Sequence, residues 1–332
     1  MKVIIPMAGT GKRMRPHTLN TPKPLLKIAG KTIVERIVTD LEKSSGKTIK
    51  EIHFIIGDFG IEVEEKLLKI AKKNGYKGYI HYQEKALGTA HAVYCANEAL
   101  NGECFVVFAD TLYKGNFKIE DKDEAIIWTM IVKNPENYGV VVTDKNDIIK
   151  DIYEKPKKFV SDKAVIGIYY FKEGEKIKYD IENMIKNNKK TGAEFQLTDN
   201  IKSLIEQGLK IKCKILDDWL DCGNKEEYLK STEKVMKAGK FENNKKKLGG
   251  VKIIEPVYIG RNVKVKHCKL GPYVSIEDDA IIENSVIKKS IIGDRAVIID
   301  SKISCSIIGS DTRIKGAKGN FNLGDFSEYE KQ

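Results

Sequence analysis

The sequence predicts an α/β fold with a doubly wound, mostly parallel sheet, followed by a short parallel β-helix. The chain opens on the apolar run Val3–Ile5, which is typical of a strand buried on both faces and leads directly into a glycine-containing loop. Strand-like and helix-like stretches then alternate, as they do in a parallel sheet with helical crossovers. From Ile259 onwards, aliphatic residues instead recur at a step of about six, which is the pattern of a parallel β-helix.

The composition describes a globular protein of more than one domain. The chain has 332 residues, and a single domain usually has about 100–200. Its net charge of +11 would suit a nucleic-acid surface, but the lysines are scattered and no aromatic-basic recognition module is visible. We therefore expect anionic small-molecule substrates and no nucleic acid as partner.

The cysteines and the apolar segments predict a cytoplasmic protein. The six cysteines form no C-x-x-C pair and have mostly apolar neighbours, which favours reduced thiols over a zinc site or a disulfide framework. The first apolar run is too short for a signal peptide, and no window approaches the roughly 18 apolar residues of a membrane span. We expect no membrane partner.

The loop after the first strand predicts an anion site. Gly9 and Gly11 allow unusual backbone dihedrals and close approach of N–H groups to phosphate oxygens. The stretch adds four basic residues, Lys12, Arg13, Arg15 and Lys23. It is not a Walker loop, which needs four residues between its glycines, nor a dinucleotide fingerprint, whose third glycine is replaced by Met14. The alternative is a surface turn that happens to be basic.

Two stretches carry a resemblance to a known family. GTGKRMRP at 9–16 and TPKPLL at 21–26 resemble the signature of the sugar-1-phosphate nucleotidylyltransferases, the NDP-sugar pyrophosphorylases. The resemblance continues over roughly the first 240 residues. It implies a nucleotide-diphospho-sugar transferase type of sheet, with Arg13 and Lys23 in catalysis and the backbone at Ala8, Gly9 and Gly11 at the nucleotide.

The next elements follow from periodicity. Apolar residues at three- and four-residue spacing predict a helix from Lys31 to about Leu41. A strand at Ile52–Ile56, a helix at Ile61–Lys73 and a strand at Tyr79–Tyr82 complete the alternation. Ligands of such a sheet bind beyond the carboxyl ends of its strands.

A second candidate segment follows the strand that ends at Tyr82. The amide of Gln83 can both donate and accept, as pairing with uracil or thymine requires, and Gly88 would let a base lie against bare backbone. An ordinary turn and helix start is the alternative. The run GTAHA at 88–92 resembles the base-binding segment of uridylyl- and thymidylyltransferases, which implies that Gln83, Gly88 and Thr89 bind the nucleotide; His91 is expected to pack or cap.

Two aspartates are candidate metal ligands. Asp110 ends the apolar strand Phe105–Ala109, and Asp221 follows another strand and precedes Gly223. Carboxylate oxygens suit Mg2+, which takes one or two of them and keeps several waters. Turn capping is the alternative for each. The resemblance implies that both hold Mg2+ and that Asp110 is catalytic.

An antiparallel extension is predicted after Asp110, with strands at 125–132, 138–142, 148–153 and 164–171. Within it, YGV at 138–140 and EKP at 154–156 resemble sugar-binding motifs of the family. They imply that Gly139 and Glu154 contact the sugar and that Lys155 meets its phosphate as a catalytic charge. A solvated hairpin rim is the alternative.

Two further positions bear on the sugar. Val165 stands where relatives often carry asparagine, so one expected polar contact is missing. The run EFQLTD at 194–199 also resembles the family, which implies a sugar contact for Glu194. The same run reads as a helix entrance with Thr198 as N-cap.

The organisation predicted is a catalytic domain at 1–238, a polar linker at 239–250 and a hexapeptide-repeat domain at 251–332. The tail resembles the left-handed β-helices of many family members; irregular sandwich strands are the alternative. Because all proposed substrate residues precede Gly223, we expect the tail to serve assembly and stability.

The expected reaction joins an NTP to a sugar 1-phosphate and releases pyrophosphate, with dTTP or UTP and glucose 1-phosphate as the expected pair and Mg2+ as cofactor. Alternatives are a mannose-1-phosphate guanylyltransferase, an N-acetylglucosamine-1-phosphate uridylyltransferase, or a bifunctional enzyme whose tail is an acyltransferase using His267, its one histidine. A non-catalytic regulatory homologue is a further alternative, although every charged signature position is filled. A homo-oligomer is expected.

Overall fold

The computed structural model describes residues 1–331 except Thr10, Asp110, Asn116, Lys240 and 242–249, and only the backbone of Thr111 and Lys114. The helices are α1 (Ile33–Ser45), α2 (Ile61–Lys73), α3 (Thr89–Tyr94), α4 (Gly174–Lys186), α5 (Leu197–Glu206) and α6 (Lys225–Lys237). Short 3-10 turns occupy Lys12–Met14, Lys23–Leu25, Asn97–Ala99 and Pro135–Asn137.

The strands before the tail are β1 (Lys2–Pro6), β2 (Lys27–Ile28), β3 (Lys31–Thr32), β4 (Glu51–Ile56), β5 (Lys77–Tyr82), β6 (Cys104–Val107), β7 (Thr111–Lys114), β8 (Ala125–Ile131), β9 (Gly139–Thr143), β10 (Ile149–Glu154), β11 (Lys163–Phe171), β12 (Ile211–Ile215) and β13 (Asp218–Asp221). The main sheet runs β10-β9-β11-β6-β1-β4-β5, with β8 beside β11 and β12 beside β8. The strands β6, β1, β4 and β5 are parallel to one another, and β11 pairs antiparallel with β6, β8 and β9. The predicted α/β sheet with an antiparallel extension is confirmed.

The register of the parallel strands brings the first two candidate segments to one edge. The N–H of Met7, just past β1, donates to the carbonyl of Ile55 in β4. The N–H of Gln83, just past β5, donates to the next carbonyl, that of Ile56. Both segments therefore leave the sheet at neighbouring carboxyl ends, where ligands of doubly wound sheets bind.

The helix at Ile61–Lys73 matches its predicted bounds. The first helix begins two residues later than predicted, because Lys31–Thr32 forms a short strand pair with Lys27–Ile28. The hydroxyl of Thr32 then accepts the N–H of Glu35 and caps the helix.

By contacts, the chain divides into two compact units. One contains Met1–Gly9, Ile37–Ala109 and Tyr113–Trp219; the other contains Thr10–Arg36, Asp110–Leu112 and Leu220–Gln332. The second unit therefore contains both the tail and all of the signature residues after Gly9. The domain limits expected from sequence stay a prediction, and most of the expected linker lies outside the described residues.

The tail forms a parallel β-helix. Its strands are β14 (Lys252–Ile253), β15 (Val257–Ile259), β16 (Lys264–Lys266), β17 (Lys269–Leu270), β18 (Val274–Ile276), β19 (Ile281–Glu283), β20 (Val286–Lys288), β21 (Ser290–Ile292), β22 (Val297–Ile299), β23 (Lys302–Ser304), β24 (Ile307–Ile308), β25 (Arg313–Lys315), β26 (Lys318–Gly319), β27 (Asn322–Leu323) and β28 (Glu328–Glu330). They stack into three parallel sheets, in which each strand pairs with the strand that comes three strands later in the chain. In the sheet that starts at β14, paired residues in successive coils are 16 or 17 positions apart, so three strands per coil give a step of between five and six residues, close to the predicted step of about six and in agreement with a left-handed β-helix.

One side of the β-helix is covered. On the sheets that start at β14 and β16, the flanking positions are exposed or half-buried, and several of them are lysines. On the sheet β15-β18-β21-β24-β27, four residues of the first four strands that lie outside the interior cluster are buried as well: Tyr258, Ser275, Ile291 and Ile307. We call this side the covered face. Buried serine and tyrosine there indicate packing partners within the unit.

No helix among the described residues is long and apolar enough to span a membrane.

Candidate active site

The signature segment, residues 9–30, folds back on itself around Gly11. Gly11 has a φ of 58°, in the left-handed region that favours glycine. Its carbonyl accepts the hydroxyl of Thr18 at 2.8 Å, and a Cβ at Gly11 would lie 3.4 Å from Cβ of Lys23. The glycine therefore lets the two ends of the basic loop pack together.

The basic residues of this segment differ in environment. Lys12, Arg13 and Arg15 are exposed, whereas Lys23 is buried at 9% exposure within the turn Lys23–Leu25. Among the residues that the structure describes, Nζ of Lys23 has no hydrogen-bonding or ion-pairing partner. The side chain is therefore largely buried, while its ammonium group, without a partner in that part of the chain, is available to an anion such as phosphate.

Arg13 and Asp221, both predicted site residues, meet at Gly223. A Cβ on Gly223 would lie 3.4 Å from Nη2 of Arg13 and 2.9 Å from Oδ1 of Asp221. Oδ1 of Asp221 accepts the N–H of Gly223 at 2.7 Å, and the carbonyl of Asp221 accepts the hydroxyl of Ser231. The strand-to-helix turn thus places a guanidinium beside a carboxylate.

The donor chemistry of Asp221 fits Mg2+. Oδ1 is held by the turn, and Oδ2 has no hydrogen-bonding partner in the described part of the chain. No cluster of three or more His, Cys, Asp or Glu that could hold a metal occurs among the described residues, and Mg2+ does not require one. Asp110, the other predicted ligand, lies outside the described residues.

The predicted base-binding residues 83–92, which we call the base segment, are joined by hydrogen bonds of the Gln83 side chain. Nε2 of Gln83 donates to the carbonyl of Gly88 at 3.1 Å and lies 3.2 Å from Nδ1 of His91. Burial lowers the pKa of His91, which favours the neutral ring and an accepting Nδ1. The amide of Gln83 is therefore oriented with its nitrogen inward, and His91, expected to pack or cap, orients it.

Gly88 and Thr89 tie the base segment to the start of α5. Gly88 has a φ of 113°, and a Cβ there would lie 2.7 Å from the backbone nitrogen of Phe195. The hydroxyl of Thr89 accepts the N–H of Leu197 at 2.8 Å and lies 3.3 Å from Oε1 of Gln196. Thr89 thus has a structural role in addition to the predicted nucleotide contact.

The predicted sugar-binding motifs at 138–140 and 154–156, which we call the sugar segment, contact the start of the same helix, α5. Oε2 of Glu154 accepts the hydroxyl of Thr198 at 3.2 Å, and a Cβ on Gly139 would lie 3.1 Å from Cγ2 of Thr198. Lys155 has a φ of 44°, and its Nζ lies 3.7 Å from Oε1 of Glu154. Exposed Glu194 accepts from Nε2 of Gln196 at 2.7 Å.

The predicted N-cap role of Thr198 is wrong. The cap of α5 is Gln196, and Thr198 is the second residue of the helix, with its hydroxyl on Glu154. The contact of Thr198 with the sugar segment was not predicted, because the helix-like spacing of the residues around it carries no signal for a partner in another strand. Segment 194–198 contacts both the base and the sugar segments.

The remaining predicted residues lie at the end of β1. Ala8 is half-buried and Gly9 is exposed, with no atom within 4 Å of the position where a Cβ would stand on Gly9. Space for a ligand beside bare backbone is what the predicted nucleotide contact needs. Arg13, Lys23 and Asp221 thus belong to one unit, in which Arg13 and Asp221 lie close together, and the base and sugar segments belong to the other.

Similarity to known proteins extends over all the predicted site residues. The nucleotidyl transferase family model matches residues 2–238. The bifunctional protein GlmU of Methanococcus maripaludis strain S2 is 30% identical, over 94% of this chain and 81% of that protein. The glucose-1-phosphate thymidylyltransferase of Streptomyces antibioticus is 26% identical over 100% of both chains.

A solved structure supports the fold. The nucleoside-diphosphate-sugar pyrophosphorylase of Vibrio cholerae RC9 superposes with a TM-score of 0.59 at 19% identity, over 69% of this chain and 99% of that one. Since the family model spans well over half of the chain and includes the signature segment, the chain belongs to the nucleotidyl transferase family.

Proposed function

We propose that this protein is a sugar-1-phosphate nucleotidylyltransferase, which converts an NTP and a sugar 1-phosphate to an NDP-sugar and pyrophosphate. The observation that carries the proposal is the ammonium of Lys23, which has no partner among the described residues and ends a largely buried side chain packed against the Gly11 turn. A family match over residues 2–238 and the full-length similarity to a glucose-1-phosphate thymidylyltransferase support it.

The chemistry needs no protein nucleophile. An oxygen of the ionised sugar phosphate attacks the α-phosphorus of the NTP, a new P–O bond forms, and the bond to the β-phosphate breaks as pyrophosphate leaves. Catalysis is therefore positioning and charge neutralisation. In this proposal Arg13 stabilises the α-phosphate and the departing pyrophosphate, whereas Lys23 and Lys155 stabilise the sugar phosphate and the transferring group.

Mg2+ is the proposed cofactor. Asp221 and Asp110 would hold it, and the bound ion would neutralise charge on the phosphate oxygens. The proximity of Arg13 to the Asp221 turn supports this assignment, because both groups would then face the same phosphates.

Base and sugar recognition follow from the two other segments. With Nε2 of Gln83 turned to Gly88, the amide oxygen can accept N3–H of a uracil or thymine, which favours UTP or dTTP. Glu154, oriented by Thr198, would accept from sugar hydroxyls beside Gly139, and Glu194 would contribute a further acceptor. Glucose 1-phosphate is the proposed sugar.

A pyrophosphate-release panel tests the proposal. dTTP, UTP, GTP and ATP are each combined with the 1-phosphates of glucose, mannose and N-acetylglucosamine in the presence of Mg2+. We expect the highest kcat/KM with a pyrimidine nucleotide and glucose 1-phosphate. A preference for GTP with mannose 1-phosphate, or for UTP with N-acetylglucosamine 1-phosphate, would replace the pair but retain the reaction, whereas no release from any pair would contradict the function.

A second activity in the tail is an alternative that the bifunctional relative favours. Its only histidine, His267, is exposed in a turn of the β-helix at a φ of 51°. Acyl transfer from an acyl-CoA to an amino sugar phosphate, lost in His267→Ala, would support this alternative.

We propose a cytoplasmic homo-oligomer. The six cysteines are all free thiols, which suits a reducing compartment. Light scattering on the purified full chain tests the oligomeric state.

A further inference from the structure

The covered face of the β-helix contacts the end of the signature segment. Nζ of Lys27 lies 2.8 Å from Oδ1 of Asp294 in an ion pair of partly buried groups. The N–H of Ala29 donates to Oγ of Ser275 at 3.1 Å, and the N–H of Gly30 donates to Oε1 of Glu277. Lys27, Ala29 and Gly30 lie within four residues of one another, and their partners Ser275, Glu277 and Asp294 lie on two adjacent coils, so the contacts form a continuous seam.

Glu277 is unusual among the tail carboxylates. It is 2% exposed, and Oε1 also accepts the hydroxyl of Ser275 at 2.7 Å, whereas Oε2 is buried without a partner in the described part of the chain. A buried acid with an unpaired oxygen costs folding free energy. The hydrogen bonds that it accepts from Gly30 and Ser275 indicate that it holds the end of the signature segment against the β-helix.

The fit at this seam is close. Gly30 has a φ of 80°, and a Cβ on it would lie 2.5 Å from Cζ of Tyr258 on the covered face. The hydroxyl of Tyr228 in α6 donates to the carbonyl of Lys27. The strand pair that follows Lys23–Leu25 is therefore held from both sides.

A second contact holds the start of the same stretch. Nε2 of His17 lies 2.9 Å from Oδ1 of Asn322, in the last coil, and a Cβ on Gly324 would lie 2.9 Å from Cβ of Pro16. Lys23 lies between this contact and the seam at Lys27–Gly30.

We propose that Glu277, Asp294 and Asn322 of the β-helix are positioning residues for the signature segment and thereby set the place of Lys23. The proposal rests on the function proposed above, because only there does Lys23 meet the transferring group. A displacement of about 1 Å at such a group can cost as much as a hundredfold in rate. The tail then contributes to turnover in addition to its expected role in assembly and stability.

Four full-length variants test this proposal. Glu277→Ala removes the acceptor of Gly30, and Glu277→Gln keeps an oxygen at nearly the same place. Asp294→Asn removes the ion pair with Lys27. Glu330→Gln is the matched control, because it breaks the ion pair of Glu330 with Lys315 in the same β-helix, and neither residue has a contact with the signature segment in the described part of the chain.

Hydrogen exchange and kinetics are measured on each. We expect faster exchange at Ala29 and Gly30 and at least a tenfold loss of kcat/KM, mainly in kcat, in Glu277→Ala and Asp294→Asn. Glu277→Gln should stay within about threefold of the wild type, and Glu330→Gln within about twofold.

Two results would overturn the positioning role: unchanged exchange at 29–30 in Glu277→Ala and Asp294→Asn, or faster exchange with kcat/KM retained. Absence of pyrophosphate release from the wild type would instead contradict the proposed function, and the exchange data would still decide whether the β-helix anchors the segment.

Discussion

The hydroxyl of Thr198 donates a hydrogen bond of 3.2 Å to Oε2 of Glu154. Thr198 is buried at 8% exposure at the start of α5, so it fixes one oxygen of a half-buried carboxylate. Glu154 can then present its other oxygen in a defined direction. The proposed sugar contact of Glu154 thus depends on the hydrogen bond that Thr198 donates to its carboxylate.

Thr198→Val keeps the shape of the side chain and removes the donor. We expect the KM for the sugar 1-phosphate to rise about tenfold, because a hydrogen bond to a charged group contributes roughly 1.5 kcal/mol, with a smaller change in kcat. Initial-rate kinetics at saturating NTP measure this. The control is Thr191→Val, an exposed threonine before the same helix; an equal rise in both variants would contradict the role of Thr198.

Gly88→Ala is predicted to be more damaging than a positive φ alone explains. Gly208 has a similar φ of 93° with open space around it, so Gly208→Ala measures the backbone strain, about 1 kcal/mol. At Gly88 the new Cβ would also collide with the backbone of Phe195, adding about 1–3 kcal/mol. Urea unfolding of both variants gives the difference, and equal free energies of unfolding would show that segment 194–198 can move.

The helix α2 was predictable because its determinants are local. Its apolar stripe lies between Gly60 and the Asn74-Gly75 pair, and the observed bounds match. The start of α5 was not predictable, since the N–H of Leu197 is satisfied by the hydroxyl of Thr89, 108 residues away. A partner at that distance leaves no trace in the spacing around Thr198.

The same limit applies to the tail. Its six-residue step is visible in sequence because every coil buries an aliphatic column, as Ile276, Ile292 and Ile308 do. The hydrogen bond between Ala29 and Ser275 joins residues 246 apart. The repeat predicts which residues point inward, but it does not tell what covers the outer side of one sheet.

Asp221→Asn separates metal binding from folding. An asparagine keeps the Oδ1 acceptor for the N–H of Gly223, so the turn and the melting temperature should be nearly unchanged. Turnover should fall by orders of magnitude, because a neutral amide is a poor Mg2+ ligand. A Mg2+ titration of initial rates measures the effect, with exposed Asp217→Asn as the charge-matched control. Near-normal Mg2+-dependent turnover in Asp221→Asn would remove this residue from the proposed metal site.

Glu277 predicts a pH dependence of stability. Burial raises its pKa from 4.5 to about 7, against the opposing effects of Lys27 and the hydrogen bond from Ser275 and with a contribution from Asp294. Tyr258 also faces it and adds no charge at neutral pH. Since the folded protein binds this proton more tightly than the unfolded chain, the free energy of unfolding falls as the pH rises from about 4.5 to about 7 and then levels off.

Glu277→Gln removes this titration. The free energy of unfolding of the variant minus that of the wild type should rise by on the order of 3 kcal/mol between pH values near 4 and near 8, because the pKa of Glu277 differs by about 2.5 between the folded and unfolded states. Urea unfolding at a series of pH values measures the gain, and Glu328→Gln, which changes an exposed glutamate of the last coil, controls for the altered net charge. The carboxyl group of Glu277 lies at the seam, where it accepts hydrogen bonds from Ser275 and Gly30. A stability difference that does not vary with pH would therefore mean that Glu277 is ionised throughout this range, and that its carboxylate, rather than the neutral acid, accepts the N–H of Gly30.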